Sequence, residues 1–321
     1  MNKCFITKLE GVVDNTSLLK LGELRIGFSN NDNPSNIQSI GIGVTNPISL
    51  EILGNGYFTD STGSNNLGKK RTLNPPSDAS YIVGTNILSI IGKYNLTRFV
   101  VSRTSNVTYF CIDDLKMSKE LTTVSINSES VIGDIASLSN LKKLTTLLIR
   151  NSKVVGDIAS LSNLIELTDM DIVNTSIFGN INILARLPKL KTIYLSNTNV
   201  IGNIDALRNN LELTEIVANN TGITGDLAKL PESCTYISIS NKNGDSFTWS
   251  TRSASSKIVS IVNSPKITNI DKMLQDQAQC VTSTIDSSNR IISATGTRTS
   301  ASDAAVQTLQ SKGYTVSITP E

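Results

Sequence analysis

Apolar residues recur through the middle of the chain with a constant step of 23 residues. Five consecutive copies read L-x-x-L-x-I-x-N-x-x-V-x-G-D/N-I-x-x-L-x-x-L-x-x, beginning at Leu121. The last two apolar positions of L-x-x-L-x-I are two residues apart, so they share one face of a short strand. One such strand cannot bury that face alone. The pattern therefore predicts stacked coils that form a parallel sheet and a continuous core.

Two further columns keep the same step and carry no apolar side chain. The asparagine amides are predicted to satisfy backbone groups at the turn that leaves each strand. Each glycine is predicted to meet a backbone conformation or a close approach that a Cβ would obstruct. The Asp or Asn that follows the glycine indicates turn chemistry, and I-x-x-L-x-x-L indicates a 3₁₀ or short helical return. The columns are Asn151, Asn174, Asn197 and Asn220, and Gly133, Gly156, Gly179, Gly202 and Gly225.

The pattern becomes irregular on both sides of these copies. A degenerate first strand is predicted at 96–101, and further coils are expected at Cys234–Asn241 and Val259–Asn263. Residues 302–313 predict a helix with Ser302 as N-cap, and residues 314–318 predict a closing strand. Alternating segments at 5–9, 19–26 and 48–52 predict a small, mostly β domain. We thus expect an α/β, β-rich solenoid over residues 93–321, with a C-terminal helix–strand cap at about 301–321, preceded by a β-rich docking domain over residues 1–92.

Composition narrows the possible chemistry. The chain has 29 Lys and Arg, 27 Asp and Glu, and no His, which removes histidine-based catalysis and most transition-metal sites. The net charge is close to zero, so it gives no indication of nucleic-acid binding. The start of the chain lacks the apolar stretch of a signal peptide, and no apolar run is long enough to span a membrane. The four cysteines lie far apart and favour small buried side chains. Residues 63–70 match G-x-x-x-x-G-K but lack the Ser or Thr that a phosphate loop needs. No cofactor, metal site or membrane insertion is expected.

The outward positions of the strands are the candidate binding surface, because their residues vary while the inward columns do not. Charged and aromatic residues there are best able to anchor a partner, although an ordinary solvated strand face explains any one of them. Asp169 and Asp171 also alternate on one strand and allow an alternative hypothesis, a two-carboxylate glycosidase. The candidate anchors are Arg150, Asp169, Asp171, Tyr194 and Glu215.

The repeat resembles the leucine-rich-repeat family, whose signature is L-x-x-L-x-L-x-x-N. The G-x-I element is similar to the variant found in plant receptor ectodomains. This chain departs from both because its Asn follows the third apolar position by two residues and not three. The resemblance implies a non-enzymatic binding protein.

Segments 1–25, 155–161 and 301–316 also resemble leucine-rich-repeat proteins of gut Bacteroides and their bacteriophages, including crAss-like phages. This resemblance implies a phage virion component, associated with tail or capsid. Its N-terminal domain would contact other virion proteins, and its repeats would contact a host cell-surface protein or glycan. An intracellular bacterial protein-interaction module is the alternative.

Overall fold

The structure, a computed structural model, describes residues 4–12, 20–28, 51–53, 98–102, 110–129 and 131–321. The chain divides into two compact units, residues 1–167 and 168–321. Each unit is described separately below.

The first unit contains one antiparallel hairpin and two rows of parallel strands. Strands β1 and β2 form the hairpin. Strands β3, β4, β6 and β8 pair in parallel in that order, and β5, β7 and β9 form the second row. Short 3₁₀ turns follow the second-row strands at Ile112–Met117, Ile135–Leu138 and Ile158–Leu161. The bounds are β1 (Cys4–Val12), β2 (Lys20–Phe28), β3 (Glu51–Leu53), β4 (Arg98–Ser102), β5 (Phe110–Cys111), β6 (Thr123–Asn127), β7 (Val131–Asp134), β8 (Thr146–Arg150) and β9 (Lys153–Asp157).

The hairpin confirms the strands predicted at 5–9 and 19–26, and β4 confirms that a strand lies at the segment predicted as 96–101. Strand β3 differs from expectation, because Ile52 pairs in parallel with Val101. The segment assigned to the docking domain therefore extends the parallel series of the solenoid. The predicted boundary near residue 92 and the phosphate-loop-like segment 63–70 lie outside the described residues, so the docking domain remains a prediction.

The second unit continues the same alternation, and two helices precede its last two strands. Its first row runs β10, β12, β14, β15, β16, β17, β18, all parallel, and its second row runs β11, β13, β14. Strand β14 is long enough to belong to both rows. The bounds are β10 (Asp169–Asp171), β11 (Ser176–Asn180), β12 (Thr192–Tyr194), β13 (Asn199–Asn203), β14 (Glu215–Thr224), β15 (Tyr236–Asn241), β16 (Ser260–Val262), α1 (Ile270–Gln279), β17 (Ile291–Thr295), α2 (Asp303–Ser311) and β18 (Thr315–Thr319), with 3₁₀ turns at Ile181–Arg186, Ile204–Asn209, Leu227–Lys229, Ser287–Asn289 and Ser300–Ser302.

The repeating apolar columns form the core of both units. Leu144, Leu147 and Ile149 of the first unit have no exposed surface, and the corresponding residues of later coils are equally buried. Burial of one such side chain stabilises the fold by about 1.5–3 kcal/mol relative to exposure. The predicted stacking of coils is therefore confirmed within each unit. The corresponding residues of the second unit are Leu190, Ile193 and Leu195, and Leu213, Ile216 and Ala218.

At the glycine column, the backbone of one coil lies directly against the capping side chain of the preceding coil. Gly156 has a φ of +115°, a region that side-chain-bearing residues rarely adopt. An ideal Cβ at Gly156 would overlap Oδ1 of Asp134 in the preceding coil. That oxygen also accepts the backbone N–H of Ala136, at 2.8 Å, and so caps the 3₁₀ turn. The two reasons predicted for the glycine, backbone conformation and close approach, are both confirmed. Asn180 lies over Gly202 in the same way.

The C-terminal helix and strand are present, and α2 begins directly after Ser302, as predicted. The Ser302 side chain does not cap α2. Its hydroxyl instead donates to Oδ1 of Asp271, at 2.6 Å, and so ties the start of α2 to α1. The Thr299 hydroxyl accepts the N–H of Ala301 and caps the 3₁₀ turn that precedes α2. Ser302 thus stands at the predicted N-cap position, but its side chain makes no capping bond and its backbone lacks the extended conformation that is typical of an N-cap.

Replacing Gly156 with Ala is expected to lower the free energy of unfolding by about 2–4 kcal/mol, from backbone strain and overlap with Asp134. Gly244→Ala is the matched control, because Gly244 also has a positive φ but an added Cβ there meets no atom within 4 Å. It should cost about 1–2 kcal/mol. Urea unfolding measures both. Equal losses would show that the cap oxygen does not limit the approach of the coils.

Candidate functional site

The outward side chains of β10, β12, β14 and β15 form two parallel rows, which we call the strand face. Strand register aligns Asp169, Thr192, Glu215 and Tyr236 in the first row. Side chains on neighbouring parallel strands in one row lie about 4.8 Å apart. The strand face thus brings together in one unit four of the five predicted anchors. The second row contains Asp171, Tyr194, Val217 and Ser238.

The first row contains two carboxylates, Asp169 and Glu215, and they differ in their hydrogen bonding within the described part of the chain. The two carboxylate oxygens of Asp169 accept hydroxyl hydrogen bonds from Thr192, at 2.8 Å, and from Thr168, at 2.7 Å. Glu215 is half-buried and, within the described part of the chain, makes no hydrogen bond or ion pair. Burial raises the pKa of its neighbour Tyr236, and the Glu215 carboxylate raises it further. Glu215 and the neutral Tyr236 hydroxyl are therefore both able to accept hydrogen bonds from a partner.

Asp171 lies differently from the expectation of an accessible anchor. The residue is only 1% exposed, and its carboxylate accepts the backbone N–H of Val173 at 3.2 Å. Its position in the second row makes it a support for the turn that follows β10. Arg150 is exposed at the end of β8 in the first unit, in register with Asn127 of β6.

Beyond the second row, polar side chains are already joined to one another. The backbone N–H of Asn219 donates to the hydroxyl of Ser196, and its amide donates to the hydroxyl of Ser238 at 2.8 Å. The Asn263 amide reaches the same Ser238 oxygen from the coil that contains β16. This network fixes the orientation of the polar side chains that border the second row of the strand face.

The asparagine column has a backbone reason that the sequence did not indicate. Each of these residues adopts a left-handed conformation, with φ of 57° at Asn197. Asn is among the few residues with a side chain that tolerate it. The Asn197 amide donates to Oδ1 of Asn174 at 2.6 Å, and Asn220 donates to Asn197 at 2.9 Å. The described amide contacts therefore connect side chains of adjacent coils, where the expectation was a bond to the backbone of the turn.

Buried hydroxyls perform the role expected of the asparagines. Thr198 is buried, donates to the carbonyl of Leu195 at 2.7 Å and accepts the N–H of Val200 at 3.4 Å. Its column stands three residues after the third apolar position, where the leucine-rich-repeat signature has Asn. The apolar pattern did not single out this column, although Ser or Thr recurs there at the same step. The column is Ser152, Thr175, Thr198 and Thr221.

The described residues contain few other groups with distinctive chemistry. No cluster of three or more potential metal-ligating side chains occurs among them. No helix in the described part of the chain is long and apolar enough to span a membrane. Cys111, Cys234 and Cys280 are free thiols, and burial raises the pKa of Cys234 to about 12. The Asp or Asn after each glycine caps its 3₁₀ turn, as at Asp226, which confirms the predicted turn chemistry.

Comparison with solved structures identifies the architecture. The leucine-rich-repeat ectodomain of the plant membrane receptor kinase GASSHO1/SCHENGEN3 from Arabidopsis thaliana, in complex with CASPARIAN STRIP INTEGRITY FACTOR 2, matches 76% of this chain at 17% identity and a TM-score of 0.52. The match spans 29% of the receptor ectodomain. The fold is that of a β-rich leucine-rich-repeat solenoid, as the repeat predicted.

Two other solved structures are similar at lower TM-scores. A plant ice-binding protein matches at 16% identity over 60% of this chain and 64% of its own, with a TM-score of 0.47. Internalin C2 from Listeria monocytogenes matches at 17% identity over 61% and 73%, with a TM-score of 0.40. No protein-family model matches the chain, and no curated protein matches its sequence.

Replacing Asn197 tests which property the column requires. Asn197→Gly keeps the left-handed backbone and loses both amide contacts, so it should lower the free energy of unfolding by about 1 kcal/mol. Asn197→Ala also strains the backbone and should cost about 1–2 kcal/mol more than Gly. Urea unfolding measures both. A glycine variant less stable than the alanine variant would contradict the backbone explanation.

Proposed function

We propose that this protein is a non-enzymatic binding protein that recognises another protein through the strand face. The observation that carries the proposal is the contrast between the invariant, buried inward columns and the varied outward rows. The inward columns hold the coils in register. The residue types at the outward positions can therefore vary to suit the surface of a partner. Tyr194 and Tyr236 supply aromatic surface, which is typical of interface anchors, and Glu215 adds a hydrogen-bond acceptor between them.

The chemistry of the first row favours a partner group that donates hydrogen bonds or carries positive charge. Glu215 has no internal partner among the described residues, while Asp169 is held in place by two hydroxyls. A half-buried carboxylate gains more from a charge-assisted hydrogen bond than a fully solvated one. We propose Glu215, Tyr194 and Tyr236 as direct contacts, Asp169 as a preorganised acceptor and Asp171 as a support. Arg150 is proposed as a contact of the first unit.

We propose a bacteriophage virion component as the biological setting, associated with tail or capsid. The support is the resemblance of segments 1–25, 155–161 and 301–316 to proteins of Bacteroides and their phages. In this setting the N-terminal region would bind other virion proteins, and the solenoid would bind a host-surface protein or glycan. Many copies on one particle would compensate for weak single contacts. The second candidate remains an intracellular bacterial protein-interaction module.

The glycosidase alternative has little support at Asp169 and Asp171. Such an enzyme needs two carboxyl groups that both reach the substrate. Asp171 is only 1% exposed, and both oxygens of Asp169 accept hydroxyl hydrogen bonds. We therefore favour binding over catalysis at this pair.

A photo-crosslinking amino acid at Tyr194 should form a crosslink to one partner protein when the chain is incubated with phage-infected host cells. The control position is Leu211, which is 73% exposed but lies outside the strand face, and it should not crosslink that partner. Glu215→Gln and Tyr236→Ala should each weaken binding of the captured partner by about tenfold or more, as hot-spot residues do. Equal crosslinking from Tyr194 and Leu211, or unchanged affinity in both variants, would contradict the strand face as the binding surface.

The virion setting makes a separate prediction. Mass spectrometry of gradient-purified particles from the phage that encodes this chain should detect it at a constant ratio to the capsid protein. Particles purified at high salt should retain the protein, because salt screens surface charges and we expect its docking to involve more than charge. Recovery only in the soluble host fraction would reject the virion setting and favour the intracellular module.

A further inference from the structure

We propose that Asn243 is a site of spontaneous deamidation, which converts the turn after β15 into aspartate and isoaspartate forms. Asn243 is followed by Gly244, and residues 242–245 are all exposed. The pair lies in a β-turn in which the Gly244 N–H donates to the Asn241 carbonyl at 3.2 Å. This modification is independent of the proposed binding function.

Three features of the turn favour the reaction. Gly244 has no side chain to shield its backbone nitrogen, and an added Cβ there would meet no atom within 4 Å. Within the described residues, no hydrogen bond holds the Asn243 side-chain amide. The hydrogen bond from Gly244 is at the long end of the normal range and is open to water, so it is readily broken.

Other asparagines followed by small residues lack this freedom. Asn151 precedes Ser152, but its amide donates to Oδ1 of Asn127 at 2.7 Å. Asn263 precedes Ser264, and its amide donates to the Ser238 hydroxyl at 2.6 Å. In both cases the following residue carries a Cβ, and the side-chain amide is engaged. The folded structure therefore singles out Asn243 within the described residues.

The chemistry needs only water and a base from the solvent. The Gly244 nitrogen loses its proton and attacks Cγ of Asn243, which forms a new N–Cγ bond. The Cγ–Nδ2 bond breaks, and Nδ2 leaves as ammonia, so a five-membered succinimide remains. Water then adds to one of its two carbonyl carbons, and the bond between that carbon and the Gly244 nitrogen breaks, with a proton returning to the nitrogen. Addition at Cγ restores the normal backbone with an aspartate, and addition at the backbone carbonyl carbon leaves the chain running through Cβ as isoaspartate.

The product would alter a turn that is tied to the neighbouring strand. The Asn241 side chain accepts the Asn243 N–H at 2.7 Å and donates to the Ile223 carbonyl of β14 at 2.8 Å. Isoaspartate inserts an additional carbon into the backbone between the Asn243 N–H and the Gly244 N–H, which both donate to Asn241. Both products add one negative charge next to Asp245. Age would thus produce an acidic form of the protein with a locally rearranged turn.

The test is incubation of the folded 321-residue chain in mildly alkaline buffer at body temperature, followed by peptide mapping with mass spectrometry. We expect the amide-to-acid mass shift at Asn243 before any shift at Asn151 or Asn263, with isoaspartate detected by enzymatic methylation. The chain contains a second Asn-Gly pair, Asn55–Gly56, and its conversion is measured separately in the peptide that contains it. Conversion of Asn243 no faster than Asn151 would overturn the proposal.

Two variants distinguish deamidation at Asn243 from deamidation elsewhere in the chain. Asn243→Gln should abolish the acidic form that arises at this peptide, because the larger ring that glutamine requires forms much more slowly. Gly244→Ala should retard it, because the Cβ hinders attack by the backbone nitrogen. A circular dichroism spectrum identical to that of the parent shows that both variants are folded. An unchanged rate in folded Gly244→Ala would also overturn the proposal.

Discussion

The stacking of coils depends on a close approach between a side-chain oxygen of one coil and the bare Cα of glycine in the next. Oδ1 of Asp134 occupies the space that a Cβ of Gly156 would need, and Asn180 does the same for Gly202. Because the same oxygen caps the 3₁₀ turn of its own coil, one atom determines both where the turn begins and how near the next coil comes.

The side chains that hold the coils together are mainly separate from the strand face. The inward apolar columns, the buried hydroxyls and the glycines form most of these contacts, and in the first two outward rows Thr192 and Ser238 add hydrogen bonds between coils. Substitutions in those rows therefore cost little stability, except where a side chain has become part of the structure, as Asp171 has. Asp169 lies between these cases, because its carboxylate is oriented by Thr168 and Thr192 while the residue remains half-exposed.

A repeat with a constant period predicts much of this fold because the period decides which side chains share a face. The buried columns, the glycines and the outward position of Tyr194 and Glu215 all followed from it. Burial of Asp171 did not, since it depends on the packing around a single strand. The exchange of roles between Asn197 and Thr198 was also hidden, because both residue types suit turns and only the backbone φ distinguishes them. The parallel pairing of β3 joins segments nearly fifty residues apart and lies outside the repeat.

The equivalence of successive coils also bears on how such a gene changes. Gly202 meets Asn180 as Gly225 meets Asn203, so deleting residues 192–214 as one block would bring equivalent surfaces together. Unequal recombination between repeated gene segments can therefore add or remove whole coils without a new packing arrangement. Each event would lengthen or shorten the strand face by one strand, about 4.8 Å, so the length of this surface could change between lineages in discrete steps.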